Sequence, residues 1–230
     1  MPHLPFIVAT AGHIDHGKST LIEALSGTNP DRLPEERKRG MTIDLGFAQL
    51  NLKDPQREDV VYDLGLIDVP GHADFVKNMV AGVGSIDLAL VVVAADDGWM
   101  PQTEEHFQIL LYLGVERAVI ALTKSDVMQN RDLILAEIEE NLKGTRLEGS
   151  PIVPVCAISG EGLDELKSVL AASLRDAPPS LDCGKPRLFV DRVFSRKGAG
   201  TVVAGTLTGG SLRVGQELVL QPVGLTTRVG

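Results

Sequence analysis

Gly12-His13-Ile14-Asp15-His16-Gly17-Lys18-Ser19 decides the reading of this chain. It fits the pattern of a glycine, four residues, then Gly-Lys-Ser. The run Phe6-Ile7-Val8-Ala9-Thr10 before it reads as a strand, and Leu21, Ile22 and Leu25 after it have helical spacing. Strand, loop and helix in that order are what a phosphate-binding loop needs. The glycines let the backbone curl so that successive N–H groups point inward. The positive end of the helix that follows favours an anion. In such a loop Lys18 reaches the β- and γ-phosphates and the Ser19 hydroxyl ligates Mg²⁺. Residues Gly12, His13, Ile14, Asp15, His16, Gly17, Lys18, Ser19 and Thr20 are therefore the candidate phosphate site.

Working outward, strand and helix patterns alternate from residue 5 to about 174. Thr42–Leu52 and Val60–Val69 read as strands joined by a polar turn over Lys53–Asp59. Leu88–Ala95, Ala118–Leu122 and Ile152–Cys156 are apolar runs of strand length, of the kind found in parallel sheets. Pro101 followed by Gln102–Leu113 reads as a helix opened by proline. Leu135, Ile138 and Leu142, and then Leu163, Leu166, Leu170 and Leu174, fall three and four apart. This order predicts an α/β fold, a mainly parallel sheet with helices on both faces. Ligands of such sheets bind at the carboxyl ends of the strands.

The loops after those strands carry further chemistry. Asp68-Val69-Pro70-Gly71-His72 follows one strand, about fifty residues beyond the phosphate loop, which is suitable spacing for a second phosphate-side segment. Asp68 suits support of Mg²⁺ through water. Gly71 offers an N–H to a γ-phosphate with no side chain in the way, and His72 then falls where an attacking water sits. Arg39-Gly40-Met41-Thr42 lies between, and Thr42 supplies a second hydroxyl to Mg²⁺ if its loop folds over the nucleotide. Release of that loop on loss of the γ-phosphate is an order–disorder switch. Thr123-Lys124-Ser125-Asp126 follows another strand. A carboxylate at Asp126 accepts from guanine N1–H and N2–H₂, a donor pair adenine lacks. The Lys124 stem covers the base. Cys156-Ala157-Ile158 places backbone N–H groups toward guanine O6.

Composition narrows the class. The 230 residues carry a net charge of −9, which excludes a broad basic face for nucleic acid. The local exception is Arg32 to Arg39, a run more often found as a solvated loop. Hydrophobic residues at 43% and charged residues at 23% are ordinary for a soluble protein. There is no apolar run of bilayer length and no secretory signal, so the expected location is cytoplasmic, with no membrane partner. Cys156 and Cys183 lack a CxxC partner and read as reduced thiols. His106 fits a helix surface, Trp99 a packing position, and His13 and His16 shape the loop.

Arg175–Lys185, with Pro178-Pro179 and Gly184, reads as a linker. Beyond it Arg187–Phe194, Thr201–Thr208 and Glu217–Gln221 read as strands, half of a small barrel at most. The division is 1–174, 175–185 and 186–230.

Taken together, these motifs resemble the P-loop GTPase domain of translational GTPases over residues 5 to about 174. The stretches that carry the resemblance are Gly-His-Ile-Asp-His-Gly-Lys-Ser, Arg-Gly-Met-Thr-Ile, Asp-Val-Pro-Gly-His and Met100-Pro101-Gln102-Thr103-Glu104-Glu105-His106. The likeness resumes at Val193-Phe194, Gly198-Ala199-Gly200-Thr201-Val202-Val203 and Gly205, which look like the start of the β-barrel domain II. Asp31 through Phe47, ending Ile43-Asp44-Leu45-Gly46-Phe47, is similar to the selenocysteine-specific elongation factors. So are Thr123, where general factors have Asn, and Gly160-Glu161-Gly162-Leu163-Asp164-Glu165-Leu166.

The resemblance implies GTP/GDP and Mg²⁺ as ligands, with Ser19, Thr42 and Asp68 organising the metal. It implies GTP hydrolysis stimulated by the ribosome, with His72 positioning water between a hydrophobic gate of Ile14 and Met41. Its implied partners are the ribosome, selenocysteinyl-tRNA through the intact protein, and an mRNA element through modules absent here. Asp191 and Arg192 fall where the family borders its aminoacyl-tRNA pocket, and a surface strand pair is the alternative there. Cys156 departs from the usual Ser beside the guanine, and Thr123 lacks the amide of Asn. Two other functions compete: a tRNA-binding scaffold like the γ subunit of initiation factor 2 or a general elongation factor Tu-like protein, and an ATP-dependent phosphotransferase, against which Asp126 argues.

Overall fold

The structure, a computed structural model, describes residues 3–30, 45–70, 86–178, 183–198 and 200–230. The chain divides into two compact units, residues 1–177 and 178–230.

The first unit is built on a six-stranded sheet. In chain order its elements are β1 (His3–Ala11), α1 (Lys18–Ser26), β2 (Gly46–Asp54), β3 (Arg57–Asp68), β4 (Leu88–Ala94), α2 (Pro101–Tyr112), β5 (Ala118–Thr123), α3 (Arg131–Leu142), β6 (Ile152–Pro154) and α4 (Leu163–Leu174). The strands lie in the order β2-β3-β1-β4-β5-β6, all parallel except β2, which pairs antiparallel with β3 at one edge. Strand β4 explains why such a sheet is stable. All seven of its residues are buried. Leu88, Leu90 and Val92 join the cluster beneath α1 and α4, with Leu21, Ile22, Leu166 and Leu170. Ala89, Val91 and Val93 join the opposite cluster, with Phe107 and Leu110 of α2 and Ile138 and Leu142 of α3. Side-chain alternation along one strand thus feeds two cores. Each large aliphatic side chain buried this way contributes about 1.5–3 kcal/mol. The predicted α/β fold with helices on both faces is what forms.

Several boundaries differ from the sequence reading. The turn between β2 and β3 is only Pro55–Gln56, tighter than Lys53–Asp59. Asp54 is the cause. Its Oδ1 accepts from the Gln56 N–H (2.9 Å), and its carboxylate is held by Arg175 Nε (3.0 Å), Arg175 Nη2 (2.9 Å) and the Tyr62 hydroxyl (2.9 Å). Polar residues continue the ladder there because a hairpin at a sheet edge needs no apolar face. Arg175, read as the first linker residue, is therefore tied into the first unit. Strand β6 ends at Pro154 rather than Cys156, since the Cys156 N–H already closes a turn on the Glu161 carbonyl (2.9 Å).

The second unit holds two antiparallel hairpins, β7 (Arg187–Arg196) with β8 (Gly200–Thr208), and β9 (Glu217–Leu220) with β10 (Leu225–Arg228). Strand β10 was not anticipated, because Leu225-Thr226-Thr227-Arg228 is exposed throughout and has no apolar alternation. Many apolar side chains of these hairpins, among them Phe189, Val193, Phe194, Val219 and Leu225, are exposed. That is the pattern of strands from the start of a barrel.

Candidate functional site

The sheet register brings the loops to one edge. Ala9 pairs with Ile67, Thr10 with Leu90 and Ala94 with Thr123, so β1, β3, β4 and β5 run out at nearly the same height. The phosphate loop leaves β1 there. Gly12 has φ +137, and a Cβ on it would lie 2.2 Å from the Val92 carbonyl oxygen, so no larger residue fits. Asp15 takes φ +60, unusual for a non-glycine residue. Gly17, at φ +83, turns the chain into α1, whose first bond runs from the Leu21 N–H to the Gly17 carbonyl (2.8 Å). The N–H groups of Lys18, Ser19 and Thr20 therefore open the helix and lack intrahelical acceptors. Lys18 is buried, and its Nζ donates to the carbonyls of Gly12 (3.1 Å) and His13 (2.6 Å).

Asp68 closes β3 with its side chain buried. Its Oδ1 accepts from the Thr10 hydroxyl (2.9 Å), which in turn accepts from the Val69 N–H (3.0 Å). Thr123, at the end of β5, donates its hydroxyl to the His16 carbonyl (2.7 Å). It lacks the amide of Asn, yet it ties the guanine-side segment to the phosphate loop. Lys124 is left-handed at φ +55, and its ammonium pairs with Asp96 (2.8 Å) and more distantly with Asp97 (3.7 Å). Burial acts to lower the Lys124 pKa, but the two carboxylates outweigh it and the net shift is upward. Asp126 is exposed in the short turn Ser125–Val127. Of the last segment, Cys156 is buried, Ala157 half-buried and Ile158 93% exposed. Its Cys156 N–H is spent inside its own turn.

The histidines behave differently from the sequence reading in one case. His106 is fully buried, not on a helix surface, and its Nδ1 accepts from the Gly12 N–H (3.1 Å). The signal was available: Thr103, His106, Phe107 and Leu110 recur three and four apart and form the buried face of α2. Beside it, Gln102 accepts from the Ile14 N–H through Oε1 (3.2 Å). Sequence reasoning gave neither side chain a role at the loop. His16 is also fully buried, against the Val92 carbonyl and the Ala94 N–H, and its ring meets His13 edge-on at 5.1 Å. Burial holds both His16 and His106 down to about 4. Both rings are therefore neutral near pH 7. Trp99 packs edge-on to Phe107 at 5.3 Å and donates Nε1–H to Glu104 (2.9 Å), a packing role as expected.

Thr42, Met41, Gly71, His72 and the Arg32–Arg39 run lie outside the described residues, as do the side chains of Asp191 and Arg192. Among the described residues no group of three or more His, Cys, Asp or Glu side chains could hold a metal, and no helix is long and apolar enough to cross a membrane. Both cysteines are free.

Residues 5–178 match the elongation factor Tu GTP binding domain. The chain belongs to that family. Within the GTP binding domain family it is 50% identical over 228 residues to the selenocysteine-specific elongation factor of Desulfomicrobium baculatum, an alignment covering 98% of this chain and 35% of that protein. Among solved structures it is similar to a bacterial selenocysteine-specific elongation factor, with TM-score 0.87 and 38% identity, over 99% of this chain and 38% of the other. It is also similar to elongation factor SelB from Methanococcus maripaludis in complex with the GTP analogue GppNHp, with TM-score 0.83 and 33% identity, over 99% and 47% of the two chains. The chain thus spans about a third of the length of the curated relative it matches.

Proposed function

We propose that this chain is the GTP-binding and GTP-hydrolysing part of a translation elongation factor that delivers selenocysteinyl-tRNA to the ribosome. The observation that carries the reading is the phosphate loop tied by Thr123 to the segment bearing Asp126. A phosphate cradle and a carboxylate suited to guanine are then parts of one rigid edge. The similarity to selenocysteine-specific factors supports the cargo.

In this reading Lys18 exchanges its loop carbonyls for the β- and γ-phosphate oxygens. Gly71 donates its N–H to the γ-phosphate. Asp126 accepts from the guanine edge, Lys124 lies along the base, and the backbone of Ala157 and Ile158 faces O6 beside Cys156. The donor set fits Mg²⁺, which takes hard oxygen ligands and keeps several waters. Ser19 opens α1, and the buried Asp68 is already oriented by Thr10, so these two with Thr42 would hold the ion. Bound there, Mg²⁺ neutralises charge on the phosphates. His72 positions the attacking water, screened by Ile14 and Met41. Slow intrinsic turnover, raised about 10³–10⁵-fold by the ribosome, is in the range for such enzymes.

Residues 1–174, with Arg175 tied to them, form the GTP-binding domain, the rest of 175–185 a linker and 186–230 the start of domain II, where Arg192 beside Asp191 attracts the selenolate of the cargo. The mRNA element is read by modules beyond this segment, and the factor works in the cytoplasm.

The test is Asp126→Asn. Its amide donates to the 2-oxo group of xanthine, so titration with fluorescent GDP and XDP analogues is expected to show a preference reversed toward XDP. An unchanged preference for GDP removes Asp126 from the base pocket.

A further inference from the structure

Two loops at the sheet edge meet through one ion pair. The Lys124 ammonium lies 2.8 Å from the Asp96 carboxylate and 3.7 Å from that of Asp97. Asp97 in turn stands 3.8 Å from His16 Nε2, so the pair borders the phosphate loop. Both partners stand on fixed backbone. The Thr123 carbonyl accepts from the Ala95 N–H (2.8 Å), and the Ser125 N–H donates to the Val155 carbonyl (3.2 Å), so Lys124 is held on both sides. Lys124 is left-handed at φ +55, a conformation that a non-glycine residue keeps only where its surroundings impose it. Beyond Asp96, the Ala94 carbonyl accepts from the N–H groups of Asp97 (3.2 Å) and Gly98 (2.9 Å), and Glu137 of α3 accepts from the Trp99 N–H (3.3 Å). The Thr123 hydroxyl is committed to the His16 carbonyl and so leaves the lysine side chain to another anchor. Burial works against both charges of the pair, yet the Lys124 pKa shifts up and that of Asp96 down, because their attraction is stronger.

We infer that Asp96 is a positioning residue for the guanine site: it anchors the Lys124 ammonium, and the lysine stem between that anchor and the backbone is laid down as one wall of the base pocket. The inference rests on the reading of Thr123–Asp126 as the guanine segment. Asp96 touches neither base nor phosphate; it acts through Lys124. A lysine side chain free in solvent samples many rotamers, and ordering it on binding opposes affinity. A stem already anchored at its far end needs no such ordering when the nucleotide arrives. Charge alone acts the other way. A carboxylate beside an anion site repels phosphates, so its removal by itself tightens binding. The two effects have opposite signs and can be told apart. The pair is partly exposed, at 35% for Lys124 and 41% for Asp96, which keeps the expected effect modest.

The experiment is equilibrium titration of a fluorescent GDP analogue into the full chain and into Asp96→Ala, Lys124→Met and the double variant. Methionine keeps most of the stem and removes the ammonium. Asp96→Ala is expected to weaken binding about two- to fivefold in the parent, the scale of an exposed ion pair. In the Lys124→Met background the same substitution is expected to cause no weakening, because the anchor has nothing left to hold. Unchanged or tighter binding by Asp96→Ala in the parent overturns the inference. So does weakening of equal size in both backgrounds, since Asp96 would then act without Lys124. Nitrogen NMR of the nucleotide-free chain gives a separate arm. The Lys124 ammonium signal is expected to move on Asp96→Ala, and an unmoved signal overturns the anchor. A parent chain that binds no GDP analogue refutes the GTP reading, and the inference falls with it. Binding in the parent without the coupling to Lys124 refutes the inference alone.

Discussion

Mild acid is expected to destabilise the first unit through the two histidines behind the phosphate loop. His16 and His106 are fully buried, and burial holds each near 4, against an ordinary value of 6.5. His16 faces the Val92 carbonyl, His13, Lys18 and Asp97, and His106 faces the Gly12 N–H, Lys18 and His13. The unfolded chain therefore takes up protons that the folded chain refuses between pH 6.5 and 4. A folded-state value below the unfolded one means that the stabilisation is full above 6.5 and is lost as pH falls toward 4. Going from about pH 7 to about pH 5 costs roughly 2 kcal/mol per histidine, so roughly 4 kcal/mol for the pair. That is a large part of the ~5–15 kcal/mol of a typical domain. Asp54, held low by Arg175, loses its contribution only below about 4, outside the window. The assay is urea unfolding followed by Trp99, the one tryptophan, which packs on Phe107 and so reports this unit. His106→Asn is expected to show about half of the acid loss. Equal stability at both pH values in the parent, or an acid loss in His106→Asn as large as in the parent, would refute the reasoning.

Gly12→Ala puts a Cβ 2.2 Å from the Val92 carbonyl oxygen at φ +137, so GDP titration is expected to show binding at least about tenfold weaker. Asp54→Ala leaves Arg175 and the Tyr62 hydroxyl without their buried carboxylate. A lower midpoint in urea unfolding is expected, with GDP affinity of the folded fraction unchanged; an unchanged midpoint would show the pair to be incidental.

The fold was legible because its signals are local. A glycine loop between a strand and a helix, an apolar run such as Leu88–Ala94 and a proline opening α2 each act within a few residues. The edges were less legible. Arg57–Asp59 reads as turn, and Thr226-Thr227 gives no strand signal, because these short polar hairpin ends carry no apolar alternation. At the site, the motifs named the loops but not what holds them. Gln102 lies 88 residues from Ile14, and His106 lies 94 from Gly12. A polar residue on a helix announces such a bond only once the helix face is known to be buried. Thr123 is the converse case. Its type showed what it lacks, an amide, while its bond to His16 across 107 residues shows what it still does.

Register is what turns these separate loops into one edge, and the site helps to enforce it. Thr10 and Asp68 are both buried polar residues, placed opposite each other by the pairing of Ala9 with Ile67. The Thr10 hydroxyl donates to Asp68 and accepts from the Val69 N–H. If β3 slipped by one residue against β1, Asp68 would turn to the other face of the sheet, into the cluster of Ala9, Ala11 and Val91. Thr10 and the Val69 N–H would lose their partners in the same step. A buried polar group without a partner costs about 1–3 kcal/mol, and a buried carboxylate more. The apolar residues of β1 and β3 would tolerate that slip far better, since both faces of the sheet are buried and apolar. The polar pair therefore supplies the discrimination that the hydrophobic pattern lacks. The same two residues that orient the candidate Mg²⁺ support also fix the height at which the β1 and β3 loops leave the sheet.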